Sequence, residues 1–217
     1  MSLIDKRQHA PAAERNREPI VAVLAEHLPA SGTVLEIASG TGQHAVFFAE
    51  RLAPRSWLPS DPNPIARDSI SSWRAIAQPP NLYEPLAIDV TQAQWPHLVT
   101  TWQQQHTPVS ELRAIVNINM IHIAPWIACE GLFAGAAQLL TVGDVLYLYG
   151  PFKQGGRHTA PSNAAFDRSL QQQNPAWGIR DLEAVCETAQ TSGFVLQATI
   201  PMPANNLSVI FHATDGT

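Results

Sequence analysis

Charged side chains are scarce in this sequence: Asp, Glu, Lys and Arg supply 14% of its 217 residues, against a usual share of roughly a quarter. The 13 basic residues are scattered and the formal net charge is -5. No stretch gathers the Lys/Arg run that would neutralise phosphates or anionic lipid, so neither nucleic acid nor a membrane surface is an expected partner. Cysteine is nearly missing. Cys129 and Cys186 lie in apolar helical patterns without CxxC spacing, which points to free thiols rather than a disulfide scaffold. The 8 histidines show no HxxxH or Cys-paired spacing, so no metal site is expected. No Gly-x-Ser-x-Gly elbow suggests a hydrolase. Apolar runs fall short of the ~18 residues a membrane span needs, and the polar, mixed-charge start is no signal peptide. A soluble, cytoplasmic protein is expected.

What is present is an alternation of strands and helices. Hydrophobic residues at 45% are enough for a core and exclude a disordered or fibrous class. Ile20, Val23, Leu24 and Leu28 recur at helical spacing, with Pro19 suited to a first turn. Residues 33–38 read as a buried strand, Ser39-Gly40-Thr41-Gly42 as a turn, and Ala45, Phe48, Ala49 and Leu52 as the next helical stripe. Residues 56–60 form a weak strand ending near Pro59. A helix with Ile65, Trp73 and Ile76 follows. Leu82 to Ile88 is a third strand, closed by Asp89. Thr91 with Gln94 forms a capping box for a helix carrying Trp95, Leu98, Val99 and Trp102. Leu112 to Ile118 is apolar enough for a central parallel strand. A helix after Pro125 carries Cys129, Leu132, Phe133, Ala136 and Leu140, and Val145 to Tyr149 is a fifth strand. A long polar loop covers 150–162. Leu182, Val185, Cys186 and Ala189 mark a last helix, and 194–200 with 207–212 form an antiparallel pair. The chain is therefore expected to be a single α/β domain over 1–217, with a core from residue 33 and an N-terminal cap or lid over 1–28.

Strand, glycine turn and helix open a mononucleotide-binding unit, in which glycine lets a ligand approach the main chain and the helix N-terminus. Gly40-Thr-Gly-Gln-His-Ala45 satisfies the loose GxGxxA form of dinucleotide enzymes. Asp61, about twenty residues on, fits a ribose-binding acid in that reading or another. Three features separate the readings. Glu36 precedes the glycines inside the strand, where an acid would repel a pyrophosphate. Asp89-Val90 follows the third strand, and the chain ends in a reversed hairpin.

These features resemble the class I S-adenosylmethionine-dependent methyltransferases. More narrowly, Pro11-Ala-Ala-Glu-Arg-Asn16, Val34-Leu-Glu-Ile-Ala-Ser-Gly-Thr-Gly-Gln-His44, Pro59-Ser-Asp-Pro62 and Asn119-Met-Ile-His-Ile-Ala-Pro-Trp126 resemble the methyltransferase-like 26 family, a domain of unknown function. The resemblance implies a Rossmann-like fold with a mostly parallel seven-stranded sheet, helices on both faces and a C-terminal antiparallel hairpin. It implies S-adenosylmethionine as cofactor and S-adenosylhomocysteine as product. Glu36, Ser39, Gly40 and Gly42 would line the methionine and sugar side, with Asn119 also on the cofactor. Asp61 would accept from the ribose hydroxyls, and Asp89 and Val90 would meet the adenine. The alternative reading of Asp61 is a helix N-cap and that of Asp89 a turn or capping residue, with Asn63 the better pure cap.

Methyl transfer is an in-line displacement. The protein must mainly place a nucleophile within about 3–3.5 Å, exclude water and sometimes remove a proton. Ligands belong at the carboxyl ends of the strands, which singles out Asn119 and His122 as catalytic candidates, His122 as base or orienter. Trp126, Tyr149 and Phe152 stand at the same end as candidates for the acceptor pocket, with core packing as the alternative. Arg15 and Asn16 are candidates for closing over the acceptor, or for a plain surface helix. Asn117 to Trp126 lacks the Asn/Asp-Pro-Pro-aromatic signature of enzymes methylating nucleobase or glutamine nitrogens, which favours another small-molecule acceptor. Two alternatives stay open: a non-catalytic cofactor-binding or scaffold protein, and a nicotinamide-dependent oxidoreductase. Oligomeric state is not legible.

Overall fold

The computed structural model describes residues 5–106 and 111–215. Two compact units emerge, one of Met1–Asp89 with His97–Val116 and one of Val90–Pro96 with Asn117–Thr217. The first holds α1 (Pro11–His27), β1 (Thr33–Ile37), α2 (Gln43–Arg51), β2 (Ser56–Pro59) and α3 (Pro64–Ala77). Two elements, α4 (Trp95–Gln105) and β3 (Leu112–Ile118), cross the division. The second unit holds α5 (Trp126–Leu139), β4 (Val145–Gly150), β5 (Phe152–Gln154), β6 (Arg157–His158), α6 (Pro161–Gln173), β7 (Arg180–Asp181), α7 (Leu182–Thr191), β8 (Phe194–Met202) and β9 (Asn206–Ala213).

The main sheet is mostly parallel, in the order β2-β1-β3-β4-β9-β8. Strand β1 pairs parallel with β2, whereas β9 pairs antiparallel with both β4 and β8. All five residues of β1 and all six of β4 are buried, the signature of strands covered on both faces. The terminal hairpin is as the sequence indicates. A second sheet, β6-β5-β7, has three short strands.

The main sheet has six strands, not seven. Leu82 to Ile88 does run beside β2: the Tyr83 N–H donates to the Trp57 carbonyl at 3.0 Å and the Leu86 N–H to the Pro59 carbonyl at 3.0 Å. Between these, Pro85 has no N–H to offer, and Arg74 and Ser71 hold the Glu84 carboxylate at 2.6 and 2.7 Å. Among the described residues this leaves two isolated parallel bridges, at Leu82 and Leu86.

Helix boundaries differ in three places. The first helix starts at Pro11, a residue suited to a first turn, and Pro19 lies inside it. Helix α4 starts at Trp95 rather than at the Thr91 capping box. It buries Trp95, Val99 and Trp102 but leaves Leu98 exposed. The expected loop over 150–162 contains β5 and β6 and runs into α6, whose buried residues are Asn163, Asp167 and Leu170. With two polar residues among three, that helix has no apolar stripe to read. In α3 the buried face is Ala66, Ser69 and Ile70, while Ile65 and Ile76 are exposed.

Residues 1–4 of the N-terminal segment lie outside the described residues. From Gln8 onward it is bonded to α2 and α3. The Gln8 N–H donates to Ser69 Oγ at 2.8 Å, the Ala10 N–H to Gln43 Oε1 at 2.5 Å, and the Trp73 indole N–H to the Gln8 carbonyl at 3.0 Å. Ala13 is buried. Over its described part the segment is thus tied to α2 and α3.

Candidate functional site

The predicted residues fall into two groups. Arg15, Asn16, Glu36, Ser39, Gly40, Gly42, Asp61 and Asp89 belong to the first unit, and Val90, Asn119, His122, Trp126, Tyr149 and Phe152 to the second.

In the first unit, the turn from β1 into α2 takes left-handed backbone at Ala38 (φ 57), Gly40 (φ 58) and Gly42 (φ 86). The two glycines serve different ends. A methyl group at Gly42 would lie 2.8 Å from the Ile70 Cα, so this glycine lets α3 pack against the turn. A methyl group at Gly40 would meet none of the described residues within 4 Å. Gly42 is a packing glycine, and Gly40 faces open space.

Asp61, just past β2, closes the turn from the other side. Its Oδ2 accepts the Gly40 N–H at 3.0 Å and its Oδ1 the Asn63 N–H at 2.9 Å. Burial raises its pKa, the two main-chain bonds opposing. Helix α3 is capped by Asn63, whose Oδ1 accepts the Ile65 N–H at 2.9 Å. Asp61 is therefore not the cap. Two lone-pair directions per carboxylate oxygen leave it capacity beyond these bonds.

Glu36 is 2% exposed, and its Oε2 accepts the Trp57 indole N–H at 2.7 Å. Burial pushes its carboxyl up to about 7, with hydrogen bonds from Trp57 and Ser39 opposing and the neighbouring Asp61 charge adding. Ser39 and Ser60 lace the strand ends: the Ser39 N–H donates to the Ser60 carbonyl at 2.8 Å, and Ser60 Oγ to the Glu36 carbonyl at 2.8 Å. Ser39 is thus bonded to both Glu36 and Ser60. Asp89 is half-buried.

Asn16 reaches α2 through a 2.8 Å bond between its Oδ1 and His44 Nε2. Burial, with Arg17 nearby, pulls the His44 pKa down to about 4, so the neutral ring donates this bond. Arg15 is exposed on α1.

In the second unit, the Asn119 N–H donates to the Tyr149 carbonyl at 2.8 Å. Asn119 is left-handed (φ 65) and opens a 3-10 turn over Met120–His122. His122 is 1% exposed, and neither ring nitrogen has a hydrogen-bond partner among the described residues. Burial, then the Arg180 charge, lowers its pKa to about 3, against Asp167 and the Gly178 main chain. Phe152 is fully buried and meets the His122 ring edge-on at 5.0 Å. Tyr149 is 3% exposed. Phe152 thus packs directly on the His122 ring, and Tyr149 is buried in β4. Trp126 is half-buried, with the Arg180 guanidinium 5.7 Å from its ring centre.

Arg180 itself escaped the sequence reading. It donates to the Ile121 carbonyl at 2.8 Å, to the Ala176 carbonyl at 2.9 Å and to the Ala124 carbonyl at 2.5 Å, fastening the turn that carries His122. Asp167 was missed too; its 5%-exposed carboxylate pairs with Lys153 at 3.0 Å and His158 at 3.2 Å. Little in the local sequence marks either residue, because several of their partners, Ile121 and Ala124 for Arg180 and Lys153 and His158 for Asp167, lie well away along the chain. Trp57 and Ser60 were equally silent.

A cavity of about 260 Å³ lies along α5, lined by Val90, Ala93, Trp95, Ile127 and Ala134 among others. It is smaller than the usual ~300–1,000 Å³ ligand site and contains Val90 alone of the predicted residues. Among the described residues no cluster of three or more metal-ligating side chains is present, and no helix is long and apolar enough to cross a membrane.

Solved methyltransferase structures share this fold. An O-methyltransferase family protein from Burkholderia thailandensis superimposes with a TM-score of 0.74 at 15% identity, over 95% of this chain and 58% of that one. Human N-acetylserotonin methyltransferase, in complex with S-adenosylmethionine, gives 0.71 at 10% identity, over 94% and 53%. An O-methyltransferase from neocarzinostatin biosynthesis, bound to S-adenosylmethionine and 2-hydroxy-5-methyl naphthoic acid, gives 0.70 at 13% identity, over 93% and 54%. The present chain spans just over half the length of each. The protein thus has a class I methyltransferase-like fold. It belongs to the DUF938 family, described as a protein of unknown function, whose family model matches residues 7–213.

Proposed function

We propose that the protein binds S-adenosylmethionine and transfers its methyl group to a small organic acceptor. The observation that carries this reading is the turn at Gly40, which is left-handed, open on its Cα face and tied to the buried carboxylate of Asp61. A side chain at Gly40 would fill that opening, so the turn fits a ligand that approaches the main chain.

When bound, the cofactor supplies an activated methyl group on a sulfonium centre. Gly40 and the Asp61 carboxylate would hold its sugar side, and Asp89 and Val90 its adenine. Glu36, poised near neutrality inside the strand end, would favour a cationic group brought beside it. His122 and Asn119 would meet the acceptor. Of the two roles open to His122, orienting fits better than proton removal. Burial opposes a charged imidazole, while the neutral ring keeps one donor and one acceptor nitrogen for an acceptor's polar group.

The non-catalytic reading also has an observation in its favour: His122, Tyr149 and Phe152 are all nearly inaccessible. One experiment separates the two. Calorimetry with S-adenosylmethionine and S-adenosylhomocysteine, followed by labelled methyl transfer into a small-metabolite extract, should give binding and a labelled product. Binding without label favours the non-catalytic reading, and no binding at millimolar cofactor overturns both.

A further inference from the structure

We infer that Gly150 is a positioning residue that holds the His122 imidazole and the Asn119 amide together over the end of β4. The inference rests on reading those two side chains as the acceptor-side pair. A methyl group built on Gly150 would lie 2.5 Å from His122 Nε2, 2.7 Å from His122 Cδ2 and 3.1 Å from Asn119 Oδ1. The first two are closer than real Cβ atoms come, so any side chain at this position displaces the ring.

Apart from Gly150, the ring is positioned mainly by packing. The His122 main chain is well held: its N–H donates to the Asn119 carbonyl at 3.2 Å, and its carbonyl accepts the Gly178 N–H at 2.9 Å. Arg180 fixes the carbonyls on either side, at Ile121 and Ala124. Among the described residues neither imidazole nitrogen has a hydrogen-bond partner of good geometry, though the Gly178 main chain favours its charged form. Its position is set by contact, with Phe152 edge-on at 5.0 Å and the bare Cα of Gly150 against Nε2. Packing of this kind responds to one added carbon, because an interior at crystal-like density has no slack. The charges that act on the ring are those of Arg180 and of Asp167, itself paired with Lys153 and His158.

Two measurements on the full chain test this without cofactor or acceptor, so they stand even if methyl transfer fails. The first is a coupling cycle. Gly150→Ala should lower Tm by roughly 4–10 °C through overpacking, and the fall should be at least halved in a His122→Ala background, where the ring is gone. Any cost from the Gly150 φ of 158° persists in both backgrounds, so an equal loss in each would overturn the inference. If Gly150→Ala alone does not fold, rescue of folding by His122→Ala supports it and absence of rescue overturns it. The second is imidazole NMR in the folded single variant. His122 should titrate nearer its ordinary 6.5, having left a site that holds it at about 3; an unmoved titration overturns the inference.

Discussion

Replacing Gly40 and Gly42 one at a time by alanine should separate packing from binding within a single turn. Both residues are left-handed, at φ 58 and φ 86, so each alanine costs about 1–2 kcal/mol in backbone conformation. At Gly40 nothing more is added, because the new methyl meets no atom within 4 Å. At Gly42 the methyl lies 2.8 Å from the Ile70 Cα and 3.0 Å from its Cγ1. Main chain of α3 stands in the way, so overpacking adds about 1–3 kcal/mol. A chain of this size loses roughly 2–4 °C of Tm per kcal/mol. Gly40→Ala should then fall by about 2–8 °C and Gly42→Ala by about 4–20 °C. Affinity should rank the other way. Gly40→Ala, with its methyl in the opening, should bind S-adenosylhomocysteine at least ~10-fold more weakly. Gly42→Ala, assayed well below its Tm, should keep most of its affinity. Differential scanning fluorimetry and calorimetry read the two quantities. Normal binding by Gly40→Ala, or equal destabilisation by both, would refute the division of labour drawn from the geometry.

Asp61→Asn should weaken S-adenosylmethionine and S-adenosylhomocysteine alike by about 1.5–3 kcal/mol, the scale of a charge-assisted hydrogen bond; unchanged calorimetry removes Asp61 from the site. Acid should destabilise the protein between about pH 6.5 and 4, because the native state refuses protons that unfolded histidines accept: His44 and His122 titrate near 4 and 3 when folded. Glu36 acts oppositely, since the folded state holds until about 7 a proton that the unfolded chain releases near 4.5, so its contribution is lost as pH rises through that window. Near pH 5 the net slope should be about one proton, or roughly 1.4 kcal/mol per pH unit. Glu36→Gln should steepen it towards two in urea titrations, and an unaltered slope contradicts the assignment. Deleting residues 1–16 should lower Tm by at least ~5 °C, because it removes the bonds at Gln8, Ala10 and Asn16 together; an unchanged Tm would show that the segment is not anchored.

Strands β1, β3 and β4, helices α5 and α7 and the final hairpin were legible because each is a run of apolar residues with one period. The misreadings had physical sources. Pro85 interrupts a run that hydrophobicity alone marks as a strand. Helix α6 buries Asn163 and Asp167, residues whose partners, Asn205 and Lys153, come from elsewhere in the chain. Glu36, Gly40 and Asp61 stood out because a turn and an acid at fixed spacing need few neighbours to interpret. The burial of His122 and the grip of Arg180 depend on the meeting of residues 119–124, 150–152 and 178–180. No single stretch of sequence carries that information.

The proline that breaks the run beside β2 also bears on how these molecules meet one another at high concentration. A sheet grows by adding strands at its rims, and an open rim templates aggregation. On one side a newcomer would face Leu82 to Ile88, where two isolated bridges surround a residue with no N–H. On the other it would face β8, exposed at Val195 and Leu196, with a register shift between Leu196 and Ala198 and Pro201 near its end. Both rims carry a proline, and each departs from a regular ladder. Lengthening either into an uninterrupted strand would offer a template for fibre growth while leaving every residue of the glycine turn in place.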